Sequence, residues 1–546
     1  MMIGVNRRRV GSKSEIDWAT TYFTFKALES GWFKNANRAM EYSLDKGKTW
    51  TTLAANTNSP TIPEGKYIMW RCTLNPGEQV GSFQSQRKFD VMGNAMSLIF
   101  GDNFQGKDDL TGYNSVLYNL FNDYTGVVSA ENLYLPAMTL SDFCYQNMFA
   151  RCSSLTTPPK LPATTLANSC YMDMFADCGN LKSTPELPAT TLAPYCYRHM
   201  FYRLRLSTLP PLPATTLAEG CYMAMFEQSW ITTAPTLPAN KMEKYCYRQM
   251  FRESRVTQAT LPAMELAEYC YYNMFEACTS LITAPSLPAA TLADGCCYGM
   301  FYRCTNLVNA PVLPAATMAQ GAYEDMFREC TSLATAPALP ATTLANNCYN
   351  SMFLQCTSLV NAPELPAQVM QYRCYCSMFQ SCTSLVNAPV LPALTLANDC
   401  YKSMFSRCSS IVTAPELPVT TALNGGVYEA MFEYCTSLVN PPTLRATTLG
   451  TGSYQWMFRG CTSLTTAPEL PATRLTSVCY RSMFQGCTSL NYIKAMFTTE
   501  PSTNYTTNWV DGVSATGTFV KNSAATWDVS GVNGIPDGWT VQTASE

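Results

Sequence analysis

Apolar residues follow a fixed pattern through the middle of the chain. Leu166, Cys170 and Met174 recur at i, i+4 and i+8, and Tyr171 and Phe175 repeat that spacing one residue on. This spacing predicts one apolar face of a short helix. Thr164 or Thr165 stands where an N-cap belongs. Gly179, Gly460 and Gly486, beside the following Cys-x-x-Leu box, keep such a helix short. The next segment, of the type Thr-Ala-Pro-Glu-Leu-Pro, reads as extended. Its two prolines, such as Pro185 and Pro188, lack backbone donors, so only a short strand can pair there.

The pattern repeats. A Met-Phe pair recurs fourteen times, from Phe149 to Phe484, at steps of 24 to 27 residues. A clean copy runs from Leu339 to Glu364, and a weaker unit precedes the series at Leu120-Phe121. One helix and one short strand in about 26 residues predict an α/β repeat solenoid, leucine-rich-repeat-like, whose coils bury their apolar faces by stacking. The expected organisation is a basic N-terminal arm at 1–18, a β-sandwich-like domain at 19–95 and a lead-in coil at 96–135. The solenoid follows at 136–495, and a C-terminal cap at 496–546 closes it.

The flanks have a different texture. Ser43-Leu44-Asp45-Lys46-Gly47-Lys48-Thr49-Trp50 matches the Asp-box pattern S-x-D-x-G-x-T-W, a hairpin turn shaped by Asp and Gly with Trp packed against it. The box is structural, including where sialidases carry it, and sialidase chemistry has no further support in the sequence. Past Met496-Phe497 the Met-Phe pattern stops, and Trp509, Trp527 and Trp539 stand among polar turn residues suited to a cap.

The chain has 546 residues and a net charge of −3, so no strong field draws it to nucleic acid or membrane. No apolar run is long enough for a membrane span. The opening Met1-Met2-Ile3-Gly4-Val5-Asn6-Arg7-Arg8-Arg9 is basic, but no apolar run or cleavage site of a secretory signal follows. A single histidine, His199, argues against histidine-based metal sites and Ser–His catalysis.

Most of the 25 cysteines sort into two ladders, one in the candidate helices (Cys170, Cys348, Cys374) and one after them (Cys178, Cys356, Cys382). Some repeats carry Ala322, Val427 or Ser453 in the first ladder, and Leu204, Ser229 or Ser254 in the second. These replace packing groups, not ligands, so buried free thiols are expected rather than disulfides or zinc. No cofactor is expected.

The span from Tyr22 to Val541 resembles the BspA-like leucine-rich-repeat surface proteins of gut anaerobic bacteria and their phages. The resemblance rests on YSLDKGKTWTTL, MSLIFGDNFQG, SAENLYLPA, the CYxxMFxxCTSL repeats and the ending ATGTFVKN…GIPDGW. The opening IGVNRRRV is similar to the first residues of structural proteins encoded by phages of those bacteria. Together these imply a non-enzymatic phage virion protein, a fibre, decoration or adhesin component, located in the virion and assembled in the host cytoplasm. Its partners would be other virion proteins through the N-terminal region and a host surface glycan or protein, with homo-oligomerisation open. The alternative is a bacterial cell-surface adhesin.

The residues flanking each Met-Phe pair vary while the frame around them does not. Three short, irregular repeats concentrate Arg, Tyr and Trp there. Arg198, Tyr202, Arg203, Trp230, Arg248, Arg252 and Arg255 form the candidate binding surface.

Overall fold

A computed structural model describes residues 16–206 and 209–544. They divide into two compact units, one through Thr165 with Cys178–Pro188, the other Leu166–Asp177 with Ala189 onward. Most of the basic arm expected at 1–18 lies outside the described residues.

The first unit opens with strands β1 (Phe23–Ala27), β2 (Phe33–Asn35), β3 (Met40–Ser43), β4 (Thr51–Leu53), β5 (Tyr67–Arg71), β6 (Phe83–Ser85) and β7 (Phe89–Asn94). β8 (Val127–Tyr134) lies beyond them in the chain but pairs in parallel with β7, completing a six-stranded sheet of order β4-β3-β5-β1-β7-β8. β2 and β6 form a second, two-stranded sheet. Phe25 of β1 meets Phe33 and Phe83 of that small sheet at 5.1 and 5.0 Å between ring centroids. The alternation of buried and half-buried positions in Tyr67–Arg71 is that of a strand with one face in this aromatic core.

The Asp box folds as the turn between β3 and β4. The Asp45 carboxylate accepts hydrogen bonds from the amides of Lys48 and Thr49 and from the hydroxyls of Ser43 and Thr49. Those donors, Thr49 foremost, hold its pKa well below the usual carboxylate range. Trp50 packs on Tyr22 and under the Arg71 guanidinium.

The helix expected in every coil is absent. The only α-helix among the described residues is the four-residue α1 (Ser97–Phe100), outside the repeats. The α/β, leucine-rich-repeat-like class is therefore overturned: the described residues are almost entirely strand, turn and loop, with three sheets. In the coil around Phe353, alternate amides bond locally, Asn350 to Asn347, Met352 to Tyr349, Leu354 to Ser351 and Cys356 to Phe353. The amides between them donate to the next coil, Tyr349 to Cys374, Ser351 to Cys376, Phe353 to Met378 and Gln355 to Gln380. Every fourth residue is left-handed, with φ of 56° at Asn347, 55° at Ser351 and 62° at Gln355.

The segment is thus a run of tandem turns with a period of four. A helix would direct all interior amides to its own carbonyls and leave none for its neighbours. Left-handed residues other than glycine cost about 1–2 kcal/mol each. Intercoil hydrogen bonds, at about 1 kcal/mol net apiece, and burial of Cys348, Tyr349, Met352 and Phe353 offset that strain. The apolar period of four arises because turns of four residues return every fourth side chain to the interior.

The proline segments form no continuous strands. They touch through isolated parallel bridges such as Thr335↔Asn361, Asn361↔Asn387 and Val369↔Thr395. Inside, like residues stack on like, with Phe353 and Phe379 5.6 Å apart and 3° from parallel, and Tyr349 and Tyr375 5.8 Å apart. No cysteine is placed in a disulfide, and all but Cys72 are buried.

The intercoil ladder runs on past Phe497. Phe484 donates its amide to Trp509 and Gly486 to Asp511. β9 (Tyr492–Ala495), β10 (Thr518–Lys521) and β11 (Thr540–Thr543) then stack as a three-stranded parallel sheet. Trp509 takes the interior place of a repeat Phe, and its indole N–H donates to the Gly534 carbonyl.

Candidate functional site

The tandem turns fix where the variable side chains go. Residues between the buried pairs point outward, so Arg198, His199 and Tyr202 are half-buried and Arg203 is exposed. Equivalent residues of successive coils lie side by side. Side chains about 25 residues apart in sequence therefore form rows across the second unit.

Along these rows the irregular coils build a chain of polar contacts. Arg203 donates from Nε to Gln228 Oε1 at 2.6 Å and lies 3.5 Å from Asp177. The Tyr202 hydroxyl donates to the same Gln228 oxygen, and Gln228 Nε2 donates to Glu253. Arg252 sits among three carboxylates, 2.9 Å from Glu227, 2.9 Å from Glu276 and 3.2 Å from Glu253. Burial works against its charge, but Glu276, Glu227 and Glu253 more than offset that and leave its pKa raised. Burial likewise raises the pKa of the Glu227 carboxyl, opposed by Arg252 and His199. His199 lies 3.3 Å from Asp173 and 3.9 Å from Glu227.

The seven candidate residues therefore do not share one surface role. Arg252 neutralises carboxylates within the stack, and Arg203 is tied to Gln228 and Asp177. Arg248 lies over the Tyr272 ring at 4.6 Å, with its Nε buried. The Arg198 Nε is buried too.

Trp230 is different. It is 45% exposed, with Arg255 over its ring at 4.2 Å and Arg205 at 5.3 Å. It stands after the position of the buried ladder cysteine, apart from the Arg252 network. Arg205, Glu227 and Gln228 escape a reading of the single repeat. They emerge when repeats are aligned at offsets of 24 to 26, which place Arg203 beside Gln228 and Glu227 beside Arg252. The arrangement can offer cation–π faces and exposed guanidinium groups to a partner.

Among the described residues no group of three or more His, Cys, Asp or Glu is placed to hold a metal ion. No helix among them is long and apolar enough to cross a membrane. An open groove of about 770 Å³ in the first unit is lined by Trp18, Lys107, Asp108, Tyr134 and Lys160, none of them a candidate residue.

Comparison of the chain with protein-family models, with curated proteins and with solved structures finds no match.

Proposed function

We propose that this chain is a non-enzymatic structural protein of a phage virion, related to the BspA-like surface proteins, whose stacked coils serve as a contact surface. The observation that carries the reading is the row of outward side chains on every coil. A frame of buried Cys, Tyr, Met and Phe holds positions such as Arg203, Arg303 and Arg407 on a fixed repeat while their identity varies from coil to coil. Such a surface gains affinity by summing many weak contacts in register. The opening IGVNRRRV supports the virion assignment over a bacterial surface location. The partner is a host surface glycan or protein, or a neighbouring virion subunit met through the N-terminal region.

The test is electron microscopy of purified virions with an antibody raised against the coils. Labelled particles are the expected result. Labelled bacterial envelopes with unlabelled virions would replace this reading with a bacterial adhesin.

A further inference from the structure

One outward position of the coils is polar at both ends of the second unit's stack and apolar between them. This is the residue directly after the buried Leu, Ile or Val of each turn box. It is Thr232 and Thr257 in the irregular coils and Thr465 near the end. Over the seven intervening coils it becomes Ile282, Val308, Val360, Val386, Val412 and Val439, with Ala334 at the remaining place. These side chains are exposed, from 41% at Val360 to 57% at Ile282. An apolar patch bounded by polar residues marks a contact surface.

The stripe's neighbours identify the occupant. The next residue in each coil is Thr283, Asn309, Thr335, Asn361, Asn387, Thr413 and Asn440 in turn. Bridges such as Thr283↔Asn309 and Thr413↔Asn440 hold this column in line. Turned end for end against itself about Asn361, the column sets Thr283 against Asn440, Asn309 against Thr413 and Thr335 against Asn387. Every pair off the axis joins one Thr with one Asn; Asn309, Asn387 and Asn440 each give one amide hydrogen to the preceding coil of their own chain, at Thr283, Asn361 and Thr413, and keep the second amide hydrogen and the carboxamide oxygen for the facing hydroxyl. The same rotation brings Ile282 onto Val439, Val308 onto Val412 and the small Ala334 onto Val386, with Val360 on the axis.

We infer that this face binds a second copy of the same chain in antiparallel register, about a two-fold axis through Val360 and Asn361. Three further features favour a copy over another partner. Both columns are uncharged, so no side chain of the face meets a like charge on its twin. A copy has the same coil spacing, so contacts stay in register along six steps of about 4.8 Å, roughly 29 Å. The two columns together offer on the order of 800 Å² per copy, the size of a standard specific interface. The axis makes the contact isologous, so it closes as a dimer instead of growing into a filament.

Sedimentation of the full chain tests this. The wild type should sediment as a dimer, and Val360→Lys, which sets two ammonium groups together on the axis, should be monomeric with an unchanged far-UV circular dichroism spectrum, its melt no longer depending on protein concentration. Mixing Val360→Lys with Val360→Glu should restore the dimer, and Thr257→Lys, outside the stripe, should leave it intact. Under mild oxidation Val360→Cys should form an interchain disulfide that Thr257→Cys does not. A monomeric wild type, a Val360→Lys chain that still dimerises, or a Lys/Glu mixture that stays monomeric would each overturn the inference.

Discussion

The Cys356 thiol donates to the carbonyl oxygen of Phe327, one coil earlier, at 3.1 Å. Cys330, Cys382 and Cys408 repeat the contact with Phe301, Phe353 and Phe379. The ladder cysteine is both a small packing group and a weak donor linking neighbouring coils. Ser229 stands at the same place in an irregular coil, but its hydroxyl donates to Phe226 of its own coil instead.

Cys356→Ser should therefore be tolerated. The hydroxyl has an acceptor in Phe327, so the cost should stay at about 1 kcal/mol or less, against about 1–3 kcal/mol for a buried hydroxyl without a partner. Cys356→Leu, which overfills the stack, should cost about 1–3 kcal/mol. Urea unfolding of the three proteins measures both differences.

The thiols should be unreactive while the chain is folded. Burial pushes Cys221, Cys278 and Cys382 up to about 12, so little thiolate forms at neutral pH. Alkylation of the native protein followed by mass spectrometry should label Cys72 first, and the buried ladders should react only after denaturation. Recovery of ladder cysteines as disulfides under denaturing, non-reducing conditions would refute the packing account.

Gln355→Gly separates tandem turns from a helix. In a helix interior this change costs about 1 kcal/mol. Here Gln355 has φ of 62° and is exposed, so glycine relieves left-handed strain. Stability should rise by up to about 1 kcal/mol. A thermal melt that moves down would contradict the turn geometry.

Arg252→Ala should destabilise the second unit by about 2–4 kcal/mol, because it strands Glu227 and Glu276 without their cation. The deficit should shrink in acid. Burial raises the folded-state pKa of Glu227 above its unfolded value, so the folded chain binds the extra proton. The stabilisation from protonation is complete below the unfolded pKa and is lost as pH rises through the folded one. Arg252→Ala with Glu227→Gln should recover part of the loss at neutral pH, measured by urea unfolding across that range.

Replacing Trp230 and Arg255 by Ala should leave the melt within about 1 kcal/mol, since both side chains are exposed. If this pair contacts a partner, attachment should fall by about 1–2 kcal/mol for each desolvated anchor. Attachment assays with host cells, beside the control Arg303→Ala with Arg407→Ala, read the difference. Equal losses from both pairs would point to a general electrostatic face.

The repeat, its length, its buried frame and its two thiol ladders are all legible in the sequence, because each is a local pattern recurring about every 26 residues. The Asp box is legible for the same reason, since its hydrogen bonds close within Ser43–Thr49. The conformation of the coil is not. Leu166, Cys170 and Met174 at intervals of four suit a helix of 3.6 residues per turn as well as turns of four residues. Some left-handed positions do carry Gly, Asn, Asp or Ser, as at Gly299, Asn347, Asp399 and Ser351, but Tyr195, Trp456 and Val478 occupy others and mask the signal. The stacked coils decide the matter, because the partner of the Tyr349 amide is the Cys374 carbonyl, 25 residues away. The fate of the candidate arginines is settled in the same way. Arg252 is an ordinary surface cation in the sequence, and only stacking brings Glu227 and Glu276 from the coils on either side to within 2.9 Å of it.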